Sequence, residues 1–92
     1  MLRFSLRLPE SASLKDKRQV VRSVAQRLRN KYQVAVAEVA DNEAWQIATL
    51  GVACVANDAH HCDEVLREIV SFVENSRLDA EVFAVETEVL SF

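Results

Sequence analysis

The chain has 92 residues, 50% of them apolar and 27% charged, with a formal net charge of −3. That is enough for one small folded domain (1–92) and too apolar for a disordered chain. Its single glycine excludes a phosphate-cradling loop of the P-loop or dinucleotide type, and no apolar run approaches the ~18 residues of a membrane span.

Leu2, Phe4, Leu6 and Leu8 alternate with Arg3, Ser5 and Arg7, the period of a half-buried strand. This alternation replaces the continuous apolar stretch of a secretory signal, which predicts a cytoplasmic protein with Cys54 and Cys62 as reduced thiols. Pro9 ends the strand because it lacks the ladder donor. Ser13 is a good N-cap for a helix, with Asp16 complementing the positive helix end. Leu14, Val21, Val24, Ala25 and Leu28 then share one face at the 3.6-residue period, and Tyr32 closes the last turn. Lys15, Arg18, Arg22 and Arg29 fall in a sector of roughly 60° beside that face. Lys17 has the angle of the apolar face itself. Being in the first turn, it is expected to lay its stem on the core and release its ammonium to water.

Gln33–Ala40 is rich in strand formers, and Asp41-Asn42-Glu43 is a polar turn cluster. The stretch Trp45–Ala56 is apolar on both alternating faces, as expected of a central strand, and its parity is open: Val52 with Cys54, or Ala53 with Val55, could face the helices. Asn57 or Asp58 caps a second helix with the apolar face Cys62, Val65, Leu66, Ile69, Phe72 and Val73. Ala80–Leu90 alternates as a last strand. The order β-α-β-β-α-β with right-handed crossovers predicts a ferredoxin-like α+β plait, a four-stranded antiparallel sheet with both helices on one face. First and last strands are then neighbours, so Arg3 and Arg7 are expected to face Glu86 and Glu88 on the uncovered side.

The charges are strongly polarised. Residues 1–31 hold nine Lys and Arg against Glu10 and Asp16, a formal +7, whereas residues 32–92 hold two against twelve acids, −10. Only Asp16 offers an acid within the first helix, so its stripe is not neutralised by i,i+4 pairing, although Glu10 or acids of the second helix could still do so. Lys15, Lys17, Arg18, Arg22 and Arg29 are therefore the candidate contacts to a phosphate backbone, against the ordinary alternative of a solvated face. A base-stacking platform is not expected, because Val52 and Cys54 stand where such motifs carry rings and Arg3, Ser5 and Arg7 point outward on the first strand. A KH-type clamp lacks its GXXG loop.

His60-His61-Cys62-Asp63 resembles a metal cluster until it is placed on a helix, where neighbours diverge by about 100°. His61, Cys62 and Cys54 converge only if the third strand ends beside the start of that helix, and no metal is expected. The serines lack an elbow motif, and the Pro9–Ser13 segment PESAS lacks the glycines of an acylphosphatase-like loop, so no catalytic constellation and no cofactor are read here. Trp45 reads as core or interface filling. Gly51 reads as a bulge or a close approach, by a helix or by a second subunit. Both are interface candidates.

Ser13-Leu14-Lys15-Asp16-Lys17-Arg18, Val36-Ala37-Glu38-Val39 and Trp45-Gln46 followed by Leu50-Gly51 form a series that resembles the YlxP-like family of small uncharacterised bacterial proteins, a domain of unknown function. The resemblance covers nearly the whole chain. It implies a ferredoxin-like fold, a cytosolic location and, from the habitual neighbourhood of family genes with those of translation initiation and ribosome maturation, a ribosome-linked role; it carries over no catalytic residues. Glu10 and Ala40 depart from the family's more usual glycines, and Glu10 sets a negative charge beside the basic helix start.

The leading expectation is a non-enzymatic module that contacts structured RNA, within ribosomal particles, through the basic first helix. The competing one is a homodimeric protein-interaction or small-ligand-responsive module, resting on a third strand apolar on both faces although helices cover only one.

Overall fold

The computed structural model describes residues 1–76 and 80–88. Six elements follow in the order β1 (Leu2–Arg7), α1 (Leu14–Tyr32), β2 (Ala35–Ala40), β3 (Ile47–Ala53), α2 (Ala59–Glu74) and β4 (Glu81–Thr87). The strands form one sheet in the order β2-β3-β1-β4, every neighbouring pair antiparallel. This is the ferredoxin-like plait. The end of the predicted last strand, Val89 and Leu90, lies outside the described residues.

Period-two alternation places Leu2, Phe4, Leu6 and Leu8 of the β1 segment in the core, and the register sets Val52, Leu50 and Ala48 of β3 opposite the first three. The parity of β3 is thereby settled: Val52 faces the helices and Ala53 is exposed. Val24, Ala25 and Leu28 of α1 and Leu66, Ile69 and Val73 of α2 close the layer above them. At their C-terminal ends the helices are joined by Tyr32 and Phe72, ring centroids 6.0 Å apart and interplanar angle 79°, with Lys31 Nζ 4.6 Å from the Phe72 centroid.

The helix starts are capped. Ser13 accepts from the Asp16 backbone N–H at 3.1 Å, satisfying one orphaned helix donor, while the Asp16 carboxylate reaches back to accept from Ala12 N–H at 3.0 Å, one residue before the cap. Asp58, rather than Asn57, caps α2, accepting from His60 N–H at 2.9 Å. Gln33 ends α1 in the left-handed region (φ 52°), so β2 begins later than the composition of residues 33–40 implied.

Two bulges decide which residues reach the uncovered sheet face. In β4 the register shifts opposite Arg3/Ser5, with Ala84 at φ 53°. Residues 81–83 are thereby moved across: Val82 turns to the core opposite Leu6, while Phe83 and Glu81 emerge opposite Ser5 and Arg7. The expected pairing is half corrected. Arg3 does oppose Glu86, but Arg7 meets Glu81 at 3.4 Å and stacks over the Phe83 ring at 4.9 Å. Glu88 could not serve, because partner numbers fall along β4 as those of β1 rise; its backbone bonds instead to that of Met1. In β2 the register shifts at Val39, between Glu38 and Ala40, and Val39 lies over Gly51.

Candidate nucleic-acid interface

The first helix arranges its cations in two different ways. Lys15, Arg18, Arg22 and Arg29 are exposed, as the helical angles require. Lys17 is not. Its side chain is 0% exposed, and the expectation that its ammonium escapes to water is overturned. The connection from β2 to β3 supplies the cause. Nζ donates to the carbonyls of Asp41 at 2.8 Å, Asn42 at 3.2 Å and Ile47 at 3.3 Å, and stands 2.9 Å from Glu38 Oε2. The three carbonyls account for the three ammonium protons. The carboxylate contact is therefore a charge pairing rather than a directed hydrogen bond, and Glu38 Oε2 has no other donor. Lys17 belongs to the core and leaves the set of candidate phosphate contacts.

Arg29 is also partly occupied, donating to the Val36 carbonyl of β2 at 2.7 Å. That bond fixes where the stripe lies. It runs along the side of α1 next to the edge strand β2 and covers one backbone acceptor that an edge would otherwise offer. Lys31, on the other flank, leans over Phe72 toward α2. Two of the four acids of α2 are engaged locally, Asp63 with Arg67 at 3.0 Å and Glu64 with His60 at 2.9 Å, while Glu68 and Glu74 form no ion pair among the described residues. Among the described residues no Asp or Glu forms an ion pair with Lys15, Arg18 or Arg22, and Glu10 does not reach them. A row of at least three uncompensated cations along one helix can bind a polyanion without any base code.

On the opposite side, β1 and β3 present Ser5, Thr49 and Gly51 to the uncovered face. Ser5 and Thr49 are buried there, their hydroxyls 2.8 Å apart, with Thr49 donating to the Asp41 carboxylate at 2.7 Å. Asp41 thus holds Lys17 by its carbonyl and Thr49 by its side chain, which explains a non-glycine residue at φ 60°. The central strands offer no ring for base stacking. Val52, read by sequence at a ring position, points into the core.

The remaining candidates fall into place around this frame. Gly51 has a close neighbour within the chain: a Cβ there would stand 2.9 Å from Val39 Cγ1, so β2, and not a helix, makes the close approach. Trp45 is 56% exposed, which removes it from the core. Its neighbour Gln46 braces the β1–α1 connection, with Nε2 donating to the carbonyls of Pro9 and Ser11 at 3.3 and 3.4 Å and its backbone carbonyl accepting from Leu8 N–H at 2.8 Å. The third strand does end beside the start of α2: the Cys62 thiol lies 3.7 Å from the Cys54 carbonyl. Burial first, and the adjacent Cys62 thiol second, push the Cys54 thiol above its ordinary value of 9.0. Among the described residues no three His, Cys, Asp or Glu side chains converge as a metal set. Nor is any described helix long and apolar enough to cross a membrane.

Sequence reading missed the Lys17–Glu38 pair. The available signal was a lysine at an apolar helical angle together with a glutamate on the core parity of β2. Several residues that carry the family resemblance have work inside the fold: Ser13 as cap, Lys17 and Glu38 as a pair, Gln46 as brace and Gly51 as space for Val39.

Comparison with known proteins agrees with that resemblance. The chain is 27% identical over 66 residues, 72% of each chain, to the uncharacterized protein YlxP of Bacillus subtilis (strain 168). Residues 1–87 match the family described as "Protein of unknown function (DUF503)", and the chain belongs to that family.

Proposed function

We propose that the protein is a non-enzymatic accessory module that binds structured RNA, as in a ribosomal particle, through Lys15, Arg18 and Arg22 of α1, with Arg29 at the end of the row. The observation that carries this reading is the absence, among the described residues, of any carboxylate paired with the first three. Unpaired cations beside an acidic remainder orient the molecule on a polyanion and keep its other faces off it. With no stacking rings on β1 and β3, binding rests on backbone phosphates and shape, so a folded RNA is the fitting partner.

The test is co-sedimentation with ribosomal subunits and titration against ribosomal RNA over a range of salt. Reversing Lys15, Arg18 and Arg22 together to Glu is expected to abolish binding while circular dichroism stays unchanged, since none of the three is buried. Unchanged co-sedimentation of that variant would overturn the proposal.

A second reading, self-association, is favoured by the uncovered sheet face, where Ala35, Ala37, Ala53 and Val39 are exposed beside Gly51. Light scattering separates the two: a stable dimer that ignores RNA supports this reading and defeats the first.

A further inference from the structure

We propose that Cys54 and Cys62 form a dithiol modification site that closes to an intramolecular disulfide by exchange with a low-molecular-weight disulfide. The proposal is independent of RNA binding. Cys54 directly follows the last residue of β3, and Cys62 is the fourth residue of α2. Cys62 faces the core on the same side as Leu66 and Ile69, and its thiol lies 3.7 Å from the carbonyl of Cys54 itself. The backbone between them, Cys54 to Asn57, belongs to no helix or strand, and Val55 within it is 88% exposed. A segment of that kind can adjust to bring the two sulfurs into disulfide geometry.

The two thiols differ in access, which gives them different roles. Cys54 is half-buried and can meet a small molecule; Cys62 is buried and can meet only Cys54. In the first step the Cys54 thiol loses its proton to solvent and its sulfur attacks one sulfur of the external disulfide. The external S–S bond breaks, and the departing thiolate takes up a proton. In the second step Cys62, likewise deprotonated, attacks the Cys54 sulfur and expels the other external thiol. Two protein thiols are oxidised to one disulfide while one external disulfide is reduced to two thiols. Because the thiolate is the attacking species and Cys54 holds its proton strongly, the rate should rise about tenfold per pH unit near neutrality.

The experiment incubates the folded chain with oxidised glutathione at pH 7 and pH 8, quenches with acid, then denatures, alkylates and weighs the products. The expected result is loss of two hydrogens with neither thiol alkylated, and two peptides linked through Cys54 and Cys62 after cleavage at Asp58. Cys62→Ala should stop at one glutathione on Cys54. Cys54→Ala should leave Cys62 unmodified while the chain is folded. The wild-type chain alone decides the matter if a variant fails to fold. A stable glutathione adduct on the wild type, disulfide-linked dimers, or a chain that stays reduced while its unfolded form oxidises in the same buffer would each overturn the proposal.

Discussion

Lys17 Nζ stands 2.9 Å from Glu38 Oε2 with no part of the lysine exposed, tying the first turn of α1 to β2. The same ammonium draws in the carbonyls of Asp41, Asn42 and Ile47, so one charge organises the whole β2–β3 connection. Removing one member of a buried pair leaves the other uncompensated, which costs about 3–5 kcal/mol. Lys17→Met should therefore lose about that much in a urea titration, a large share of a small domain's stability. Glu38 keeps 18% of its side chain exposed and can recruit water, so the lower end of the range is expected. Lys17→Met combined with Glu38→Leu should recover most of the loss. A double variant no more stable than Lys17→Met would show that the carbonyl contacts, and not the pair, carry the effect.

Gly51 and Val39 form a second coupled pair. A methyl group at Gly51 would lie 2.9 Å from Val39 Cγ1, and a β-branched side chain has little freedom to turn away. Gly51→Ala is expected to destabilise by about 1–3 kcal/mol. Val39→Ala should restore most of that loss in the double variant, because the overlap vanishes. Additive losses in denaturant melts would place the strain elsewhere.

The arginines of α1 should separate by function. Arg22 makes no ion pair among the described residues, so Arg22→Ala should leave stability within about 0.5 kcal/mol and lower the salt slope of RNA binding by about one. Arg29 donates to the Val36 carbonyl, and Arg29→Ala is expected to cost about 0.5–1.5 kcal/mol of stability as well. Chemical denaturation beside filter binding at several salt concentrations measures both.

The start of α1 rests on Ser13. Ser13→Ala removes the acceptor of the Asp16 N–H and should cost about 0.5–2 kcal/mol, whereas Ser13→Asp should retain most of the stability.

The Cys54 thiol gives the alkaline limb of stability a definite sign. Its folded-state value is raised, by burial first and by the Cys62 thiol second. Below the unfolded value both states hold the proton and the stabilisation is fully present. As pH rises past 9.0 the unfolded chain ionises first, and stability falls until the folded thiol ionises too. Unfolding curves at pH 8 and pH 10 should show this loss in the wild type and a smaller one in Cys54→Ala.

Element order, helix faces and caps were legible without coordinates, because hydrophobic period and N-cap chemistry are local: Leu2 to Leu8 alternate within one strand, and Ser13 needs only the three residues after it. The exposed row of Lys15, Arg18, Arg22 and Arg29 was legible for the same reason, as helical angle alone sets it. Three outcomes belonged to the tertiary structure. Lys17 is buried because carbonyls more than twenty residues away converge on its ammonium. Phe83 and Glu81 reach the uncovered face because a bulge at Ala84 shifts their parity, and Gly51 is needed because Val39 bulges over it. Each depends on which distant backbone arrives beside a residue. A periodicity read along one segment carries no record of that.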